Sequence, residues 1–301
     1  MASMRDIKRR RESIQSTQQI TKAMKLVSTV KLQRAKTRAE NAKPYFTKME
    51  ETVKSILSRS EGISHPYLEN NGSDRKALVV VTANRGLAGG YNNNVVKQIL
   101  ETGWDKDKTL IYGIGKKGIE ALSRRGYPIA ADESDMINEP LFSDAAQIGQ
   151  MVLDAYAAGE VGEIWIAYTM FKNTVVHIPM LEKLLPVEAG EAAGNESGEE
   201  GGAENGGPTV AKAGPQAPMN YEPEAEEALN IIIPTYINSI IYGAFIEAVA
   251  SENGARMQAM DNATSNAEEM IANLSLAYNR ARQGAITQEL TEIISGAEAL
   301  N

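Results

Sequence analysis

Cysteine is absent from the 301 residues, which removes disulfides, thiol chemistry and thiolate-held metals from consideration. Histidine is nearly absent: His65 and His177 are too few for a metal cage, and His177 in TVVHIP reads as a strand residue. No apolar run reaches eighteen residues without a polar break. The closest, residues 228–250, contains Asn230, Pro234, Asn238 and Glu247. It therefore reads as a buried helix of a soluble protein, without membrane insertion of its own. An apolar signal core is missing from the N-terminal residues as well, so a cytoplasmic protein is expected. Nucleophile elbows, zinc spacings and paired-carboxylate motifs are also lacking, and no catalytic, metal-binding or cofactor-binding residue is expected.

What is present is ordinary in amount and uneven in place. Charged residues make up 23% and hydrophobic ones 43%, enough for a real core. The net charge is -8, yet residues 1–40 hold eleven Lys and Arg against Asp6, Glu12 and Glu40, a local balance of +8. A basic end on an acidic chain suggests an acidic surface as its partner. Lys8-Arg9-Arg10-Arg11 has the composition of a nucleic-acid patch, but no aromatic residues interleave with it as stacking platforms. A solvated or partner-facing helix surface is expected there, and no nucleic acid.

Both ends of the chain have helical periodicity. Residues 3–60 read as one helix interrupted only by Pro44. Its apolar stripe is thin at Ile7, Ile14, Ile20, Met24 and Val27, small at Ala35, Ala39 and Ala42, and strong at Phe46, Met49, Val53 and Ile56. From residue 222 to about 295 there is again one interior proline, Pro234. Leu229, Ile233, Ile237, Ile240 and Ala244 form one seam, and Met260, Ala263, Ala267, Met270, Leu274 and Ala277 continue it. A helix of roughly 70 residues at about 1.5 Å each spans on the order of 100 Å. Such a helix needs another long helix or a partner against which to bury a face. Two of them in one chain suggest an antiparallel coiled coil, and the stripe is polar enough that part of the pair must sit inside other protein.

Between the ends the period changes. After a linker at residues 63–74 comes ALVVVT at 77–82, the mark of a strand buried on both faces. Further strands are expected at 109–114, 129–130, 164–170 and 174–178, with helices at 92–101, 116–125 and 144–158. The alternation predicts a small Rossmann-like α/β domain with a mostly parallel sheet. Gly113-Ile-Gly115-Lys-Lys-Gly118 follows a strand and opens a helix, with Asp132 and Asp135 beyond, the context of a dinucleotide fingerprint. Glycine is also the default residue of such turns. A dinucleotide enzyme with helical arms and a coiled-coil scaffold therefore both stand as readings of the residues alone. Residues 188–220 have six Glu against Lys212 and no Ile, Leu or aromatic residue, so a disordered insert is expected. The chain thus divides into a shaft helix at 1–62, an α/β domain at 63–187, the insert at 188–220 and a second shaft helix at 221–301.

Three segments resemble one family. SMRDIKRRRESIQSTQQITKAMKLVSTVKLQRAK at residues 3–36 and SENGARMQAMDNATSNAEEMIANLSLAYNRARQGAITQELTEIISGAEAL at 251–300 are similar to the terminal helices of the gamma subunit of F-type ATP synthase. ANRGLAGGYN at 83–92 resembles the turn after that family's first strand. The resemblance implies a non-catalytic rotor subunit without a nucleotide of its own. Its helical shaft would turn inside a ring of alpha and beta subunits, coupling ion flow through the membrane c-ring to ATP synthesis or hydrolysis. The α/β domain would sit at the foot, on the c-ring and beside the epsilon subunit. Arg282 and Gln283, with Thr287 and Glu289, match positions that contact acidic beta-subunit loops; Arg256, Met24 and Lys25 match other coupling positions. The start directly at the shaft helix and the missing cysteines point to a bacterial, peripheral subunit on the cytoplasmic face of the plasma membrane.

Overall fold

The computed structural model describes residues 4–59, 65–69, 71–187 and 225–298. The insert expected at residues 188–220 lies outside them. In chain order the elements are α1 (Met4–Arg59), β1 (Lys76–Val81), α2 (Tyr91–Glu101), β2 (Thr109–Ile114), α3 (Lys116–Ser123), β3 (Ile129–Asp132), α4 (Phe142–Ala157), β4 (Glu163–Phe171), β5 (His177–Leu185) and α5 (Ala225–Glu298). One sheet has the order β3-β2-β1-β4-β5. It is parallel from β3 to β4, and β5 runs antiparallel at its edge.

Alternation along the strands feeds two cores. Ala77, Val79 and Val81 of β1 face α4, the start of α5 and the end of α1. Leu78 and Val80 face Val95, Val96 and Ile99 of α2 and Leu122 of α3. A central strand covered on both sides must be apolar throughout, which is why β1 reads as an unbroken run. The last expected strand is displaced. Residues 174–176 form a turn in which the Asn173 side-chain oxygen accepts from the N–H of Val175 and Val176, at 2.9 and 2.7 Å. The strand is instead His177–Leu185, and it tolerates Pro179 because it lies at the sheet's edge.

The terminal helices pair antiparallel: Phe46 meets Tyr242, Thr21 meets Thr264, Gln18 meets Glu268 and Arg11 meets Tyr278. Their shared face repeats every seven residues. On α1 it includes Ile7, Ile14, Thr21, Ser28, Ala35, Ala42, Met49 and Ile56, all buried or half-buried. A strict seven-residue repeat is the pattern that winds two helices into a left-handed supercoil. This register departs from the expected stripe. Ile20 and Val27 are 57% and 58% exposed, while Thr21 and Ser28 are buried. On α5 the seam uses Thr264 and Ile271, and Met270 is exposed; Ile241, fully buried, stands where Ile240 was expected. Polar residues occupy the facing positions, so following the apolar ones alone drifts one residue off the face.

Both interior prolines stay inside their helices. Each removes one backbone hydrogen bond, and packing on either side holds the helix: Phe46 and Met49 beyond Pro44, Ile233 and Ile237 around Pro234. The apolar stretch of α5 is long enough to cross a membrane by length and composition alone. Here Leu229, Ile233, Ile237, Ile241 and Phe245 are instead buried against the sheet and α4.

Candidate functional site

Above the domain, the seam of α1 and α5 mixes apolar and polar groups. Beside half-buried Ile7, Ile14 and Ile271, the Thr21 and Thr264 hydroxyls are 2.8 Å apart and buried, Lys25 donates to Asp261 at 2.6 Å, and Gln18 donates to Glu268 at 3.0 Å. Their outer surface carries large apolar residues among the charged ones. Leu26 and Val30 of α1 are exposed, as are Leu276, Ile286, Leu290, Ile293 and Ile294 of α5. α5 also outruns its partner. Beyond Ala285 every residue whose side chain is described is exposed, so the tip is a single helix with an uncovered apolar side. Clustered exposed apolar groups of this kind mark a surface built for another protein.

The seven residues singled out from the sequence fall into three places. Arg282, Gln283, Thr287 and Glu289 lie exposed at the start of the lone tip. The Thr287 hydroxyl donates back to the Gln283 carbonyl at 2.9 Å, and Arg282 makes no ion pair or hydrogen bond among the described residues. Lys25 is committed to its interhelical pair with Asp261, the two side chains being 38% and 53% exposed. Met24 and Arg256 share a cleft of about 880 Å³ between the two helices and the turns at residues 84–87 and 137–140. Roughly 26 residues at about 1.5 Å each put Arg256 some 40 Å below Arg282. These are three stations along one shaft and do not form a single pocket.

Arg256 is engaged within the chain. Its guanidinium pairs with Glu252 at 2.6 Å and donates to the Arg85 and Gly86 carbonyls, both at 3.3 Å. The side chains of Arg256 and Glu252 are only 11% and 14% exposed. The loop it holds presents Leu87, 65% exposed with a φ of 63°, a conformation that a branched side chain adopts only when its surroundings impose it. Sequence reading missed Glu252, Asp261 and Leu87. The Glu252–Arg256 pair was legible as an i,i+4 spacing; the other two depend on what lies opposite.

The glycine fingerprint has a different use. The three N–H groups that would meet a pyrophosphate at the start of α3 are already occupied. Lys116 N–H donates to the Asn84 side chain, Lys117 N–H to the Ala83 carbonyl and Gly118 N–H to the Thr82 hydroxyl, at 3.0, 3.1 and 2.9 Å. A Cβ on Gly115 would sit 1.9 Å from the Thr82 carbonyl oxygen, and its φ is 103°. These glycines let β2 and α3 close onto β1. Asp132, the candidate ribose ligand, accepts from the backbone N–H and the hydroxyl of Ser134. The dinucleotide reading is not favoured by this geometry.

The basic run near the start of α1 is also partly engaged. Arg11 stacks on Tyr278, Lys8 lies 4.0 Å from Glu12 and Arg9 lies 3.8 Å from Asp6. Exposed i,i+3 and i,i+4 pairs of this kind add little stability, typically a few tenths of a kcal/mol.

Comparison with known proteins identifies the arrangement. A family model described as ATP synthase matches residues 3–300. The ATP synthase gamma chain of Lachnoclostridium phytofermentans is 62% identical over 301 residues, covering 100% of both chains. The sodium ion specific ATP synthase gamma chain of Acetobacterium woodii is 40% identical over 299 residues, covering 99% of each. A chain of the mitochondrial ATP synthase of Euglena gracilis has the same fold, with a TM-score of 0.65 at 20% identity over 99% of this chain and 94% of that one.

Proposed function

The chain belongs to the gamma-chain family of ATP synthases, and from that premise we propose that it is the central-stalk rotor subunit of a bacterial F-type enzyme. It is non-catalytic: it transmits rotation between a membrane c-ring and a ring of alpha and beta subunits that makes or hydrolyses ATP. The observation that carries this reading is the set of large apolar side chains left exposed on the shaft and along its uncovered tip, Leu26, Val30, Leu276, Ile286, Leu290, Ile293 and Ile294. A shaft that must turn inside other protein benefits from exposed apolar groups, because they offer no fixed hydrogen bonds to hold one angular position.

Torque has a continuous path. α5 is one helix from Ala225 to Glu298, and its first third is embedded in the domain through Leu229, Ile233, Ile237 and Phe245. Turning the domain therefore turns the tip. The shaft is asymmetric along its length, so three identical beta subunits around it would meet different surfaces at any one angle. Arg282 and Gln283 suit carboxylates on a beta subunit, because a planar guanidinium can bind a carboxylate through two donors. Thr287 and Glu289 extend that station up the tip. Lys25, paired with Asp261, forms the next station down, and Met24 shares the cleft at the neck with Arg256. Arg256 acts from inside, fixing the loop that offers Leu87 to a partner at the neck. The domain would seat on the c-ring beside the epsilon subunit, making the protein peripheral on the cytoplasmic face of the membrane.

Arg282→Ala tests the reading. The isolated chain should unfold at an unchanged temperature, because Arg282 supports nothing within it. The assembled enzyme should hydrolyse ATP while pumping ions several-fold less efficiently per ATP. Full pumping efficiency in the mutant would overturn the assignment of Arg282, and failure of the tagged chain to co-purify with alpha and beta subunits would overturn the rotor reading itself.

A further inference from the structure

Between β1 and α2 the chain crosses the neck through Arg85, Gly86 and Leu87, and almost nothing local fixes them. None of the three makes a backbone-to-backbone hydrogen bond among the described residues. Leu87 is 65% exposed, so its own side chain packs too little to hold its φ of 63°. A branched residue stays in that region only where its surroundings impose it. The anchors must therefore flank it. After the crest, Ala88 is buried with Ala83 and Tyr91 against Ala255. From the shaft, Arg256 donates to the Arg85 and Gly86 carbonyls. Before the crest stands Asn84.

The Asn84 side chain is engaged at both of its polar atoms. Its amide nitrogen donates to the Ser134 carbonyl at 2.7 Å and, over a longer 3.4 Å, to the Asn138 side-chain oxygen. Its oxygen accepts from the Lys116 N–H at 3.0 Å. Ser134 is buried and is itself tied to Asp132, so the carbonyl that Asn84 grips belongs to a fixed turn. The crest is thus held from two bodies: Arg256 ties it to the shaft helix, and Asn84 ties it to the sheet domain. Losing Arg256 would also strand the nearly buried carboxylate of Glu252, whereas losing Asn84 strands no charge. We propose that Asn84 is a positioning residue for transmission, which sets where Leu87 meets a partner at the neck and acts only through that loop. The proposal rests on the rotor reading above.

The test compares Asn84→Ala, Leu87→Ala and their combination, in the isolated full-length chain and in the assembled enzyme. In the isolated chain, Asn84→Ala should move the Leu87 methyl NMR signals toward those of an unstructured leucine, while the Val79 and Val81 signals of β1 stay in place. In the assembled enzyme, Asn84→Ala and Leu87→Ala should each lower the ions pumped per ATP by about twofold or more. The combined variant should pump no worse than Leu87→Ala alone, because Asn84 acts through Leu87. Asn84→Asp keeps the acceptor for Lys116 and loses both donors, so it should reproduce the loss with the start of α3 intact. A role in folding alone would lower Tm and leave pumping per ATP unchanged, and that outcome would overturn the proposal. So would Leu87 signals that stay in place, additive losses in the combined variant, or failure of both Asn84 variants to fold. Failure of the unmutated chain to co-purify with alpha and beta subunits would overturn the rotor reading and this role with it. The methyl signals of the isolated chain tell the two failures apart.

Discussion

Where α1 and α5 run through the domain, their shared faces carry Val53, Ile56, Leu229, Ile233, Ile237 and Phe245, all 5% exposed or less. Further along the same two helices, the shared face carries Arg11, Gln18, Thr21, Lys25, Thr264 and Glu268. The lower half is stabilised by its own core, as most helices in water are. The upper half joins through polar contacts beside half-buried Ile7, Ile14, Ile271 and Leu274, and leaves Ile20, Leu26, Val27 and Val30 exposed. One pair of helices thus has two surroundings: the apolar core of its own domain below, and a more polar seam with exposed apolar flanks above.

The sharpest way to break this comparison is to excavate the lower half. Phe245→Ala should destabilise the isolated chain by about 3–5 kcal/mol, because it removes a fully buried ring and leaves a cavity. Urea denaturation followed by circular dichroism measures it, and a loss below about 1 kcal/mol would mean that this half is not the core.

Next in size is a pH effect confined to the lower half. Burial pushes the Glu247 carboxyl up to about 7, and nearby Glu182 adds to the rise; a backbone hydrogen bond from Phe171 and the charge of Lys43 oppose it. The folded chain therefore holds this proton more tightly than the unfolded chain, whose carboxyl titrates near 4.5. This group's contribution to stability falls as pH rises from about 4.5 through 7, by on the order of 3 kcal/mol in all, and stays at its low value above that. Glu247→Gln should stabilise the chain at pH 8 and flatten that part of the profile. An unchanged slope between pH 5 and 8 would contradict the burial of the charge.

A smaller effect is expected at the polar seam. Thr21→Val should cost about 1 kcal/mol, the worth of one buried hydrogen bond. Because Thr21 and Thr264 share that bond, Thr21→Val combined with Thr264→Val should cost less than the sum of the two single losses. Strict additivity in thermal unfolding would show that the hydroxyls do not act as a pair.

The smallest effect belongs to the tip. Leu290→Ser, alone or with Ile293→Ser, should change the stability of the isolated chain by less than about 0.5 kcal/mol, as for surface sites generally. Both side chains are more than half exposed. The same changes should lower the yield of assembled enzyme, and a large loss in the isolated chain would place the tip against its own fold.

Much of this was legible in the residues. The two long helices followed from uninterrupted periodicity, and the buried strand β1 from its unbroken Val and Leu. Arg282, Gln283, Thr287 and Glu289 were nominated through resemblance, and the structure adds that they stand at the base of an unpartnered tip. Arg256 was nominated in the same way and its i,i+4 pair with Glu252 was legible, but its bonds to the Arg85 and Gly86 carbonyls could not have been foreseen. They join residues some 170 positions apart.

What the sequence by itself determined is local: where the chain is helical, where it is extended, and which residues share a side. Those periods, 3.6 and 2, are properties of neighbouring backbone. Tertiary structure decided which side is inside. Moving one residue along a helix turns the face by about 100°. Ile20 or Thr21 could therefore each have faced α5, and hydrophobicity alone favoured Ile20. Docking against Thr264 put Thr21 inward and Ile20 outward, because register between two helices is a property of the pair. The same holds for Gly113, Gly115 and Gly118, whose spacing permits a phosphate site until Thr82, Ala83 and Asn84 fill it.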